Sequence, residues 1–144
     1  MTIRLMTIQD YDRVFALWKA TPGVGLNHMD DSREGIERYL SRNPTTCFVA
    51  EDDGGLAGAI MSGHDGRRGF IHHTVVSPSC RRAGLGRRLV ACVVEALQRK
   101  GINKAALVVF RDNQLGNAFW ESQGFSRRDD LIYRNRVLGA PLDD

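Results

Sequence analysis

An α/β fold with a mixed sheet is predicted by three features of the sequence. Asp52-Asp53-Gly54-Gly55 and Asp65-Gly66 separate three strand-like stretches, the pattern of consecutive antiparallel strands. Leu85, Leu89, Val93 and Leu97 then recur every fourth residue, which is one face of a helix. Ala105 to Phe110 is continuously apolar, as a strand buried on both faces would be. The 144 residues suffice for one compact core and are too few for two ordinary domains, so a single domain over 1–144 is expected.

The elements follow in order. Ile3-Arg4-Leu5 is a short strand. Thr7 precedes Asp10 by three, a capping-box spacing, and Val14, Phe15, Leu17 and Trp18 give the following helix its apolar face. Thr21-Pro22-Gly23-Val24-Gly25 breaks that helix and opens a loop to about Asp31. Asp31 with Glu34 predicts a second cap, and Ile36, Tyr39 and Leu40 the inner face of a second helix. Strands are expected at Cys47–Glu51, Leu56–Met61 and Gly69–Val76. A helix from Gly84 to Lys100 ends at Gly101. Asn113 caps the next helix, Gly124 ends it, and Phe125–Arg136 holds one or two closing strands.

Composition narrows the function. The net charge of +3 admits nucleic acid, but the arginines concentrate at Arg81, Arg82, Arg87 and Arg88. One local cluster suits a small polyanion rather than a duplex, which needs an extended basic stripe. No apolar run is long enough for a membrane span, and Met1-Thr2-Ile3-Arg4-Leu5 lacks a secretory pattern. Cys47, Cys80 and Cys92 have no metal-ligand spacing and suit reduced thiols in a cytoplasm. No metal is expected.

The stretch most specific for chemistry is Val75-Val76-Ser77-Pro78-Ser79-Cys80-Arg81-Arg82-Ala83-Gly84-Leu85-Gly86-Arg87. It passes from a strand through a basic turn into a helix, where backbone N–H groups suit a phosphate. It matches neither the Walker pattern nor the three-glycine dinucleotide pattern. Arg81-x-x-Gly84-x-Gly86 resembles the acyl-CoA pyrophosphate loop of the GCN5-related N-acetyltransferases (GNAT family). The resemblance extends over nearly the whole chain. It implies a mostly antiparallel twisted sheet of six to seven strands with about four helices, splayed where acyl-CoA binds. Acetyl-CoA is the implied cosubstrate. Amides from about Arg82 through Ala83, Gly84, Leu85 and Gly86 to Arg87 would hold its diphosphate. Backbone at Thr74, Val75 and Val76 would meet the pantetheine arm and the thioester.

The acceptor amine must lose a proton to attack. Some members of that family carry a His or Glu four to six residues before the matching valine, and His72 lies four before Val76. Strand alternation places Phe70, His72, Thr74 and Val76 on one face and Ile71, His73 and Val75 on the other. His72 is therefore the candidate base, with Glu51 a weaker one. Asn113, Asn117 and Trp120 share a helix face and would hold the pantetheine or the helix start. Trp120 stands where many relatives have a tyrosine proposed as the acid that protonates the leaving thiolate. An indole N–H cannot give up its proton near neutral pH. The thiolate would then leave unaided or take a proton from water, or Tyr133 would reach the site.

The resemblance places the acceptor near the loop Gly23–Asp31, with His28, Asp30 and Asp31. The expected reaction is acetyl transfer to a primary amine of a small molecule by direct attack in a ternary complex. Protein N-terminal or lysine acetylation, and an acyl-CoA sensor with little turnover, remain alternatives. Homodimers occur among similar proteins, and the sequence identifies no interface for one.

Overall fold

A computed structural model describes residues 1–81 and 83–139. Among these, five strands form one sheet in the order β1-β2-β3-β4-β5. The strands are β1 (Thr2–Leu5), β2 (Phe48–Asp52), β3 (Gly55–His64), β4 (Gly69–Val76) and β5 (Ala105–Ala106). The first four are antiparallel neighbours, and β5 pairs parallel to β4. Four α-helices flank the sheet: α1 (Tyr11–Lys19), α2 (Arg33–Arg42), α3 (Leu85–Arg99) and α4 (Gln114–Ser122).

Each sheet face has its own core. Val14 and Trp18 of α1 and Ile36 and Leu40 of α2 pack on Cys47, Val49, Ala59, Met61 and Val75. On the other face Leu85, Leu89, Val90, Val93 and Leu97 of α3 pack on Ala50, Ala57, Ile60 and Ile71. The four-residue spacing read in α3 is thus its buried stripe.

The entry to α1 follows the predicted spacing. Asp10 accepts from the Thr7 N–H at 2.8 Å and ends a turn of 3-10 helix leading into α1. The cap of α2 is shifted by one residue: Ser32 Oγ accepts from the Gly35 N–H at 3.0 Å. Asp31 is instead buried and engaged elsewhere.

Two other expectations fail. The six to seven strands are five among the described residues, because 126–139 forms no strand. The apolar run Ala105–Phe110 pairs with the sheet only through its first two residues. Alternate residues Val108 and Phe110 point outward and are exposed. A continuous apolar run therefore does not mark a strand buried on both faces here.

Candidate active site

The site is built where β4 and the chain after β5 part company. β4 meets β5 only at Gly69↔Ala105 and Phe70↔Ala106. On its other edge it remains paired with β3 as far as Val76↔Gly58. The β5-facing edge of β4 from Ile71 to Val76 is therefore open among the described residues. The α1–α2 loop crosses this gap. A side-chain carbon on Gly25 would meet Phe110 Cζ at 3.6 Å, and one on Gly23 would meet Asn113 Nδ2 at 3.1 Å.

At the far end of β4 the chain turns into α3. Gly84 adopts φ +78°, the left-handed region that glycine enters without steric cost. No side chain caps this helix. Its first intrahelical bond runs from the Arg88 N–H to the Gly84 carbonyl, so the Leu85, Gly86 and Arg87 amides have no partner within the helix. Gly86 allows the Phe119 ring of α4 to lie against the turn; a Cβ there would stand 3.1 Å from Phe119 Cε1. Arg81 Nε donates to the Val76 carbonyl at 3.3 Å, tying the basic turn to the strand end. Ala83 is exposed beside Gly84, and Arg82 lies outside the described residues.

β4 departs from simple alternation. Between the pairs Ile60↔Thr74 and Ser62↔Ile71, β3 advances two residues and β4 three. The extra residue is a bulge, which reverses the facing of everything beyond it. Ile71 packs in the α3 core and Val75 in the α1–α2 core. The His72 ring lies against Tyr39 of α2 at 5.4 Å, and the His73 ring against Trp18 of α1 at 4.7 Å. Both histidines thus face the α1–α2 side. The expected grouping of Phe70, His72, Thr74 and Val76 on one face is corrected: Val76 packs with the α3 core, across the sheet from His72.

His73 Nε2 lies 2.7 Å from Asp31 Oδ1. A carboxylate can only accept, so the ring nitrogen donates. Asp31 Oδ2 accepts the Asn27 N–H at 2.9 Å, and the Tyr11 hydroxyl donates to the Asp31 carbonyl at 2.6 Å. Asp31 therefore ties the α1–α2 loop to β4. Strand alternation hid this pair, because it sent His73 to the opposite face. Asp30 lies within that loop's own network, accepting from Asn27 Nδ2 at 3.1 Å.

His72 keeps an exposed side, yet its ring lies among Phe70, Tyr39 and His73. Loss of water around the ring, followed by repulsion from His73, lowers its pKa below the ordinary imidazole value. Glu51 is drawn into another network. It bonds Arg4 Nε at 2.8 Å, and that bond holds its carboxyl pKa below the usual range. It also lies on β2, separated from β4 by β3.

The α4 residues are locally engaged. Asn113 Oδ1 accepts from the Gly116 N–H at 2.9 Å, which is the helix cap. Asn117 Nδ2 donates to the carbonyls of Phe110 at 3.0 Å and Asn113 at 2.8 Å, fixing the turn after residues 107–110. Trp120 packs edge-on against Phe119 and Phe125 at 5.0 and 5.2 Å. Tyr133 is exposed beyond α4, without a hydrogen bond or ring contact among the described residues.

The opened strand edge lies beside a helix N-terminus without a side-chain cap, an arrangement whose free amides suit a phosphate-bearing group. The chain belongs to the acetyltransferase (GNAT) family, whose sequence pattern matches residues 11–125. It is 31% identical over 144 residues to a protein named acetyltransferase from Photorhabdus laumondii, covering 96% of each chain. Its fold is similar to that of the PaiA N-acetyltransferase of Thermoplasma acidophilum in complex with coenzyme A. The TM-score is 0.76 at 21% identity, over 89% of this chain and 91% of that one. It is also similar to AAC(6')-Iy bound to a bisubstrate analogue of CoA and acetylneamine, with a TM-score of 0.70 at 23% identity over 94% and 98% of the two chains. The protein is an acetyl-CoA-dependent N-acetyltransferase. Among the described residues no cluster of His, Cys, Asp or Glu could hold a metal ion, and no helix is long and apolar enough to cross a membrane.

Proposed function

We propose that the protein transfers acetyl from acetyl-CoA to the primary amine of a small molecule, by direct attack in a ternary complex. The observation that carries this reading is the opening of the β4 edge beside the uncapped start of α3. The diphosphate would accept from amides of Ala83 to Arg87, with Arg81 and Arg82 supplying charge. The turn fits that group at Gly84, where an added Cβ would meet only the tip of Arg87 at 3.8 Å, while Gly86 seats Phe119 against the start of α3. Backbone at Thr74, Val75 and Val76 would orient the thioester, and an amide there would stabilise negative charge on its oxygen. Asn113, Asn117 and Trp120 would serve the pantetheine arm by fixing the opposite wall.

The amine nitrogen bonds to the acetyl carbon, the carbon–sulfur bond breaks, and CoA leaves as thiolate. His72 accepts the amine proton, and its lowered pKa keeps the imidazole neutral for that task near pH 7. The thiolate takes its proton from water, because Trp120 cannot supply one. A small acceptor is favoured because the α1–α2 loop reaches Phe110 and Asn113 across the gap, leaving little width for a polypeptide.

Calorimetry with acetyl-CoA, followed by thiol release over polyamines, aminoglycosides and peptides, tests the reading. Gly84→Asp places a carboxylate at the turn and should weaken acetyl-CoA at least about tenfold, or 1.4 kcal/mol. Unchanged affinity in that variant would remove the turn from the site. Release with peptides alone would replace the small amine with a protein acceptor. Tight binding with no release across the panel would make the protein a sensor.

A further inference from the structure

Asp31 ends the α1–α2 loop just ahead of the Ser32 cap, and each of its polar atoms is engaged. Its N–H donates to the Asn27 carbonyl at 3.1 Å, and its carbonyl accepts from the Tyr11 hydroxyl at 2.6 Å. Oδ2 accepts from the Asn27 N–H at 2.9 Å, and Oδ1 from His73 Nε2 at 2.7 Å. The side chain is 7% exposed, so this carboxylate is committed within the protein and does not face an acceptor. His73 in turn packs its ring against Trp18, and the bulge in β4 sets it on the same side as His72, one residue away. Upstream, Gly23 and Gly25 approach Asn113 and Phe110, while Val24 and Leu26 pack on the α1–α2 core. The loop therefore spans the gap and lands beside the candidate base.

We propose that Asp31 and His73 are positioning residues: their bond clamps the α1–α2 loop to β4 and fixes the wall against which an amine is presented to His72. The proposal rests on the acetyl-transfer reading given above. An attacking nitrogen must lie within reach of the base and of the acetyl carbon at once, which leaves little play in the groups around it. The stretch between α1 and α2 has no helix or strand of its own to hold it in one place. A hydrogen bond to a carboxylate is of the stronger kind, and at this depth water competes with it poorly. Without the clamp the loop would be correctly placed only part of the time, and amine capture would weaken by that fraction. Neither residue needs to touch a ligand to have this effect.

Two variants separate the bond from the packing. His73→Phe keeps a ring for Trp18 and removes the donor; His73→Gln gives up the ring and keeps an N–H donor. Each is measured by hydrogen exchange over residues 22–31, by acetyl-CoA calorimetry, and by steady-state transfer to spermidine and neamine. In His73→Phe the loop should exchange about tenfold faster. Its KM for the amine should rise about tenfold with kcat within about twofold, as for a loop correctly placed in a tenth of the molecules. Acetyl-CoA affinity should not change, and His73→Gln should stay close to the parent in all three. The reverse ranking of the two variants overturns the proposal, because packing would then be what matters. So does a fall in kcat at constant KM, which would put His73 in the proton transfer itself. Unaltered loop exchange, or acetyl-CoA affinity lost in step with amine capture, overturns it as well. No release from the parent with any amine of the panel ends the transfer reading, and the proposal falls with it.

Discussion

At the scale of single residues, one buried carboxylate organises the start of the chain. The Asp10 side chain is 3% exposed, and it meets Arg4 at 2.7 and 2.9 Å, Arg13 at 2.9 Å and the Thr7 N–H at 2.8 Å. Burial works against its charge, but the Arg4 bonds, the Thr7 amide and Arg13 outweigh it and hold the pKa at about 2. Unfolding releases that carboxyl to an ordinary pKa near 4. The stabilisation is therefore complete above about pH 4 and fades as pH falls towards 2. Asp10→Asn should cost roughly 2 kcal/mol at pH 7 by urea denaturation, and the difference from the parent should shrink below pH 4. His72 is a residue-scale prediction of a different kind. His72→Gln should lower kcat/KM about a hundredfold and abolish the acid limb of its pH profile, because the neutral imidazole is the form that works. An unaltered limb would pass the proton to another group, with His73 the neighbouring imidazole at 6.4 Å.

Among the elements, the junction of turn, α3 and α4 is the least tolerant of added volume. Gly86 admits Phe119, so Gly86→Val should overlap that ring and displace α4 from α3. We expect a loss of about 1–3 kcal/mol in thermal unfolding, the usual cost of overpacking, together with weaker acetyl-CoA. Much of this scale was legible in the sequence. Gly69–Val76 was bounded correctly by its flanking turns, and Asn113 and Gly124 marked the ends of α4 because cap chemistry is local. Nonlocal features escaped. The bulge in β4 is set by pairing with β3, so alternation misassigned His73 and Asp31 together. The run Ala105–Phe110 is apolar, but only a partner strand could have told whether its outer residues are covered.

For the whole molecule, binding and folding are linked through the gap beside β4. The two cores lie on opposite sides of the sheet, and the gap is crossed by the α1–α2 loop and walled by α4. A ligand seated there touches elements from both sides and favours only the folded chain. At a hundred times its dissociation constant, acetyl-CoA should add about 2.7 kcal/mol of stability. In a chain of this size that is on the order of 10 °C in Tm, readable by differential scanning calorimetry. A tenfold weaker Gly84→Asp variant should keep only about half of the shift at the same ligand concentration, about 1.4 kcal/mol. A parent protein whose Tm does not move with ligand would place the nucleotide outside this gap.

The single inserted residue in β4 is what turns His72 and His73 to the same side of the sheet. Both flanks are already in step with β3, Ile71 opposite Ser62 and Thr74 opposite Ile60. Removing one position between them would leave one residue opposite one, an ordinary ladder with room for one imidazole where there are now two. Val75 and Val76 would keep their present sides, so both cores should persist. A one-codon deletion there should therefore spare the thermal transition while reducing acetyl transfer.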